Sequence, residues 1–118
     1  MVGRDDDTGF LVVLTTVESP EQGRTLVRRL VDQRVIACGT VLGGATSIYR
    51  WQGAVEEASE TQVLLKTRRD RWTELQAAVT AAHPYDVPEL LALPVAHGLG
   101  AYLDWLALEA AGKGEASA

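Results

Sequence analysis

The sequence predicts an α+β fold of the ferredoxin-like βαββαβ type, with one helix added at the C-terminal end and a long central hairpin. Three observations predict it. Apolar runs of strand character alternate with helical periodicities in the order strand, helix, strand, strand, helix, strand, helix. Residues 35–51 form an extended segment that spans roughly 55 Å at about 3.3 Å per residue. A domain of this length is only about 30 Å across, so the hairpin must bend or protrude. The third observation is that residues 10–14 and 90–93 carry no polar alternation. Strands that are apolar on both faces need cover on both faces. Helices supply one cover, and a second copy of the chain is the economical source of the other.

Each element has a local cause. Phe10, Leu11, Val12, Val13 and Leu14 are a continuous apolar run, too short for most helices, and read as a buried strand. Ser19 caps a helix, Pro20 takes its first position, and Gln22 completes a capping box. Leu26, Val27, Leu30 and Val31 recur at helical spacing and carry that helix to about residue 33. Val35, Ile36, Ala37 and Cys38 open the second strand. Gly43-Gly44 interrupts it as a bend or bulge, and residues 46–51 resume it. Gln52-Gly53 is a tight turn, and a strand returns from Ala54 through Leu65.

Thr67 with Asp70 resembles a helix cap, and Trp72, Leu75, Val79 and Ala82 mark the buried face of the helix that follows. In His83-Pro84 and Val87-Pro88, each proline pushes the residue before it out of the helical region. The second helix therefore ends at His83, and a stiff connector aims the last strand, residues 89–95. Residues 101–108 form a short terminal helix carrying Tyr102, Leu103, Trp105 and Leu106. Residues 1–9 and 110–118 are polar, small or Gly-rich and are expected to fray. That leaves residues 10–109 as one domain.

Composition narrows the function. No apolar run reaches the ~18 residues needed to span a membrane. The start of the chain is acidic and lacks the apolar core of a secretory signal. Cys38 is the single cysteine, so no internal disulfide forms, which fits a reducing, cytoplasmic setting. With a net charge of −5, the chain is a poor binder of phosphate backbones, so nucleic acid is not expected as a partner. The basic residues near Arg28 and Arg68 read as solvated helix faces.

Four stretches together resemble a known family. They are Thr46-Ser47-Ile48-Tyr49-Arg50-Trp51-Gln52-Gly53, Ala37-Cys38, Leu64-Leu65-Lys66-Thr67, and residues 83–94 with their three prolines. In this order they are similar to the CutA divalent-cation-tolerance proteins, in register from about Phe10 to Leu106. The resemblance implies a ferredoxin-like subunit that assembles as a tight homotrimer through intersubunit sheets, an architecture shared with PII-type signalling proteins. It implies a role in tolerance to divalent metals, notably copper, and no enzymatic reaction. The chain departs from the family pattern at Thr40, where many members have Asn, and at Gly43, where they have Pro. Thr15 stands where some members have a further cysteine, which weakens any thiolate cluster within one subunit.

Several residues carry chemistry worth locating. Cys38 is either a small apolar core residue or a soft thiolate ligand for Cu(I). His83 is either a cationic cap at a helix C-terminus or a metal ligand, and with Cys38 it is the candidate metal pair. Lys66, Tyr85 and Glu89 flank apolar strands. With His83 they are candidates to line a cleft between subunits, or else simply satisfy hydrogen bonds at strand ends. Alternation puts Tyr49 and Trp51 on one strand face and Arg50 on the other, and all three are candidate interface residues. Glu56, Glu57 and Glu60 read as solvent-facing, and His97 as a surface residue. No HxH, HExxH or CxxC spacing and no phosphate-binding loop is present.

These features favour a trimeric, non-enzymatic binding or regulatory protein acting on metal ions, a small ligand or a partner. No metal is needed for folding. The alternatives are a PII-like module that binds a nucleotide or metabolite between subunits, and a rigid interaction scaffold.

Overall fold

The computed structural model describes residues 7–112. The elements are β1 (Phe10–Val17), α1 (Pro20–Asp32), β2 (Cys38–Trp51), β3 (Ala54–Arg68), a 3₁₀ turn (Arg69–Arg71), α2 (Trp72–Ala82), β4 (Leu91–Pro94) and α3 (Gly100–Glu109). The four strands make one sheet in the order β2-β3-β1-β4, with every neighbouring pair antiparallel. The α+β class, the element order and the added terminal helix are as the sequence predicts.

Residues facing the helices alternate along the strands. Leu11, Val13, Val17, Val63 and Leu65 pack against Leu26, Leu30, Leu75 and Val79 in the main core. The α1 helix lies close on β2: a Cβ added at Gly39 would come within 2.8 Å of Val27 Cγ1. Ser19 caps α1 by accepting the Gln22 amide at 3.1 Å. The reciprocal bond falls one residue early, because Gln22 Oε1 accepts from the amide of Glu18. The helix ends in a Schellman pair, Arg34 N–H to Val31 O and Val35 N–H to Leu30 O. Arg34 occupies the left-handed position there, with φ of 59°.

The hairpin protrudes. Strands β2 and β3 run for 14 and 15 residues, whereas β1 stops opposite Thr61. The molecule measures 49 × 36 × 23 Å with a radius of gyration of 15.4 Å, elongated relative to the roughly 13 Å of a compact domain this size. The register of β2 slips between Leu42 and Ala45, with Gly44 at φ of 81°, so the glycine pair is a bulge inside a continuous strand. At the tip, Gln52 and Gly53 both have positive φ, 49° and 84°, which fits a primed hairpin turn.

Five expectations are corrected. Strand β2 begins at Cys38, not Val35. Residues 35–37 are apolar because they are buried in a loop that feeds both cores. Thr67 is not a cap: it lies in β3, buried, and its hydroxyl donates to Val35 O at 2.7 Å. Asp70 pairs with Arg68 instead. The last strand is short, Leu91–Pro94, because residues 88–90 remain in the connector. The termini are tied down further than composition implies. Thr8 Oγ1 donates to Val95 O at 2.7 Å, and Asp7 pairs with Arg69 at 2.8 Å. Ala110 and Ala111 are buried. The rest of the expected frayed tails, residues 1–6 and 113–118, lies outside the described residues.

The fifth correction concerns the second sheet face. Part of it is covered by the chain's own α3. Phe10 and Ala37 pack with Leu106 and Ala110 there, joined by Val95 and Leu103. Beyond α3 the face is bare and apolar. Leu91 and Leu93 are 56% and 51% exposed and Leu42 is 48% exposed, beside half-buried Val12, Leu14 and Leu64.

Candidate functional site

Polar residues gather at the two ends of the sheet. At the α3 end, Cys38 and Lys66 are cross-strand partners, so their side chains share a face. Tyr102 of α3 reaches down to both. Lys66 Nζ donates to the Tyr102 hydroxyl at 3.3 Å and sits 5.7 Å from its ring centroid. Cys38 Sγ is 3.8 Å from the same hydroxyl. Tyr102 in turn packs on Trp105, with ring centroids 5.6 Å apart. The thiol is partly exposed, so Cys38 is more accessible than a buried core residue.

At the far end, β1 finishes with Thr15 and Thr16, and the proline connector crosses beside them. His83 is buried and bonds at every polar ring atom. Its Nδ1 accepts the Tyr85 amide at 3.0 Å, so the ring proton sits on Nε2. That nitrogen lies 2.9 Å from Thr16 O and 3.1 Å from Thr15 Oγ1. Burial holds the imidazole below its usual pKa, with the Thr16 carbonyl pulling the other way. His83 is a neutral strut between the connector and β1. His83 is the C-cap residue of α2, as expected, with its backbone N–H donating to Val79 O, but its ring is neutral and turns to β1 rather than to the helix end. The ligand reading fails within this chain, because neither nitrogen has a free lone pair.

Tyr85 stacks obliquely on His83 at 4.9 Å, and its hydroxyl donates to Glu60 Oε2 at 3.0 Å. Burial first, then the Glu60 bond and the charges of Glu60 and Glu18, push the phenol up to about 12. Glu60 is therefore half-buried and engaged, not the solvent-facing residue expected. Past it opens a cleft of about 510 Å³ lined by Tyr49, Trp51, Glu56, Tyr85 and Glu18. Tyr49 pairs with Glu56, Trp51 with Ala54, and Ala45 with Glu60. The expected alternation holds: Tyr49 and Trp51 share a face, and Arg50 turns to the other. All three are exposed on the isolated chain.

The candidate residues thus fall into two groups. Cys38 and Lys66 meet, and His83 and Tyr85 meet, but the pairs are apart. Cys38 lies level with Val12 on the bare face, while His83 binds Thr15 on the helix face, three residues or roughly 10 Å further along. Glu89 is exposed in the connector and joins neither group. Among the described residues, no three His, Cys, Asp or Glu side chains converge on a metal-sized site. Sequence reading missed Tyr102, which organises the first group, and Thr15 and Thr16 as hydrogen-bond partners. The two threonines ending an otherwise apolar run were the available signal. Nothing in the helical spacing of α3 marked Tyr102. Among the described residues no helix is long and apolar enough to cross a membrane.

Comparison with known proteins agrees with this architecture. A family described as CutA1 divalent ion tolerance protein matches residues 11–109. The divalent-cation tolerance protein CutA of Thermus thermophilus is 50% identical over 95 residues, covering 80% of this chain and 92% of that protein. That of Escherichia coli is 38% identical over 103 residues, covering 87% and 92%. Among solved structures, CutA from Xylella fastidiosa superposes with a TM-score of 0.84 at 36% identity, covering 86% of this chain and 98% of the other. The family match spans both polar ends of the sheet, the hairpin and α3, and on this evidence the chain belongs to the CutA1 divalent ion tolerance family.

Proposed function

We propose that the chain works as a homotrimer with a ferredoxin-like subunit, and that it serves divalent-cation tolerance as a binding protein and not as an enzyme. The observation that carries this reading is the bare apolar face. Leu42, Leu91 and Leu93 are each about half exposed on the isolated chain. Contiguous apolar patches of this kind mark interaction surfaces, and a symmetric assembly is the economical cover. The relatives' names supply the connection to divalent cations.

Copper is the cation that Cys38 suits, as a soft thiolate donor. Its remaining donors would come from a neighbouring subunit, since among the described residues no group of three His, Cys, Asp or Glu side chains forms within one chain. The non-enzymatic reading is supported by the Thr15–His83 contact: the ring's one proton sits on Nε2, the nitrogen nearer the hydroxyl, so the imidazole has no lone pair there with which to act as a base toward it. A single, partly exposed thiol fits a reducing cytoplasm.

Light scattering tests the assembly: three times the 12.7 kDa chain mass is expected, and a monomer at micromolar concentration overturns it. Calorimetry with copper under reducing conditions tests the ligand. Cys38→Ser should abolish binding while the trimer mass is kept, and unchanged binding in that variant removes Cys38 as a donor.

A further inference from the structure

The two arginine clusters of the chain differ in how their charges are met. Arg68, Arg69 and Arg71 each pair with a carboxylate, those of Asp70, Asp7 and Glu74. Arg24, Arg28 and Arg29 on α1 are all exposed, and among the described residues no ion pair engages any of them. Asp32 stands one helical turn beyond Arg28 and does not take it. A cation in the last turn complements the helix dipole, which accounts for Arg29 but not for Arg24 and Arg28. Those two sit at i and i+4, where like charges repel. In a chain of net charge −5, unmet positive charge is thus concentrated on one helix.

Beside these arginines, α1 and the end of α2 leave a groove of about 290 Å³. Leu26, Ala82 and Pro84 give it apolar walls, and Arg29 and Glu21 stand at its rim. The exposed side of α2 continues from it as Thr73, Gln76, Ala77, Thr80 and Ala81. Its one charge is Glu74, which Arg71 holds. A surface with no free charge costs little to desolvate, as the centre of an interface requires. Both features lie on the outer side of the helix layer. That layer packs on the sheet face opposite the bare one, so a trimer that covers the bare face leaves the groove open.

We propose that the groove between α1 and α2 docks an acidic amphipathic helix of a partner protein. An apolar side chain seats between Leu26, Ala82 and Pro84, as in other helix-in-groove complexes, and the carboxylates reach Arg24, Arg28 and Arg29. Glu21 repels acid at the start of α1, so the acidic end lies toward Arg28 and Arg29. Nucleic acid shares the negative charge, but the chain's net charge opposes a phosphate backbone. An anionic membrane shares it too. A helix lying on lipid carries large apolar side chains opposite its basic face, whereas the only large apolar residue that α1 exposes is Val31. The surface is remote from Cys38 and from the bare sheet face, so the proposal stands apart from the metal reading.

The test is fluorescence anisotropy with the folded wild-type protein at constant ionic strength. The probe is a labelled helical peptide repeating Leu-Ala-Glu-Leu-Ala-Glu-Glu. Saturable binding is expected, and the counterparts with Lys for every Glu, or with Ser for every Leu, should bind much more weakly. Arg28→Gln and Arg29→Gln should each weaken the probe about threefold, the scale of one exposed ion pair. With Arg24→Gln added, the loss should exceed about tenfold. Arg50→Gln removes the same charge from an exposed residue of the hairpin and should leave affinity unchanged. All four are surface changes that keep the fold. The proposal is overturned by no saturable binding of the acidic peptide, by equal binding of the Lys or the Ser counterpart, or by a loss in Arg50→Gln as large as in Arg28→Gln. Phosphatidylserine vesicles or single-stranded DNA that bind more tightly than the peptide, and are released by the same three substitutions, also overturn it and assign the arginines to lipid or nucleic acid.

Discussion

The imidazole of His83 donates from Nε2 to the backbone carbonyl of Thr16 across 2.9 Å, which fastens the proline connector to the end of the central strand β1. The same ring accepts the Tyr85 amide through Nδ1. One neutral side chain therefore sets where the connector leaves α2 and where the Tyr85 phenol points, which is at Glu60. Protonation would turn Nδ1 into a donor facing another donor and place a charge in a buried site.

The pH dependence follows from that neutrality. The folded pKa of His83 is depressed by burial, so below the unfolded value the unfolded chain binds the extra proton. The contribution of His83 is present above about pH 6.5 and is lost as pH falls below it. Melting curves from pH 8 to 5 should show this loss in the wild type. His83→Gln keeps a donor toward Thr16 but does not titrate, so its melting temperature should change less over that interval. Parallel curves for the two proteins would mean that His83 is not neutral in the fold.

Tyr85 gives the opposite sign at the other end of the scale. Its folded pKa is raised to about 12, against an ordinary phenol near ~10. Its contribution to stability is present below the unfolded value and is lost as pH rises from there through the folded one. An alkaline titration of tyrosinate absorbance should contain one late transition near the top of the range. Tyr85→Phe should remove that transition and no other. If the variant titrates like the wild type, the Tyr85–Glu60 bond is not formed in solution.

Much of this could be read from residue order, and the failures have definite causes. Ser19-Pro20, the Gly43-Gly44 bulge and the Gln52-Gly53 turn are local chemistry, and each appears where expected. Residues 35–37 resemble a strand in sequence because burial and strand pairing leave the same apolar signature over three residues. Thr67 looked like a cap because its true partner, Val35 O, lies 32 residues away in sequence. The two polar groups failed for the same reason. Whether Cys38 meets His83 depends on the register of β1 against β3 and β2 and on which face each strand turns. Once Lys66 pairs with both Val12 and Cys38, Cys38 is committed to the face that His83 does not occupy.

Arg34 allows backbone strain to be separated from contact. It holds φ of 59° while its guanidinium donates to Leu108 O at 3.1 Å and pairs with Glu109 at 3.9 Å, holding the end of α3. Arg34→Ala keeps the left-handed strain and loses the hold. Arg34→Gly loses both. Urea unfolding at matched protein concentration should place both variants below the wild type, with Gly more stable than Ala by about 1 kcal/mol, the cost of a non-glycine residue in that conformation. Equal stability of the two variants would show that the left-handed position carries no strain here.

Trp51 and Arg50 test the assembly from the hairpin tip. They are neighbours on β2 but face opposite ways, and Trp51 is 58% exposed on the isolated chain. If the trimer covers the Trp51 face, Trp51→Ala removes a packed ring in each subunit. Truncations of buried Trp cost about 3–5 kcal/mol, and in a symmetric trimer the loss repeats three times. Arg50→Ala, with its side chain turned to solvent, should change stability by less than about 0.5 kcal/mol. Sedimentation over a dilution series should show Trp51→Ala dissociating at concentrations where wild type and Arg50→Ala stay assembled. The dilution series matters because unfolding and dissociation are coupled in such a protein, so a melting temperature at one concentration would mix the two. If Trp51→Ala holds together as well as Arg50→Ala does, the Trp51 ring is not an assembly contact.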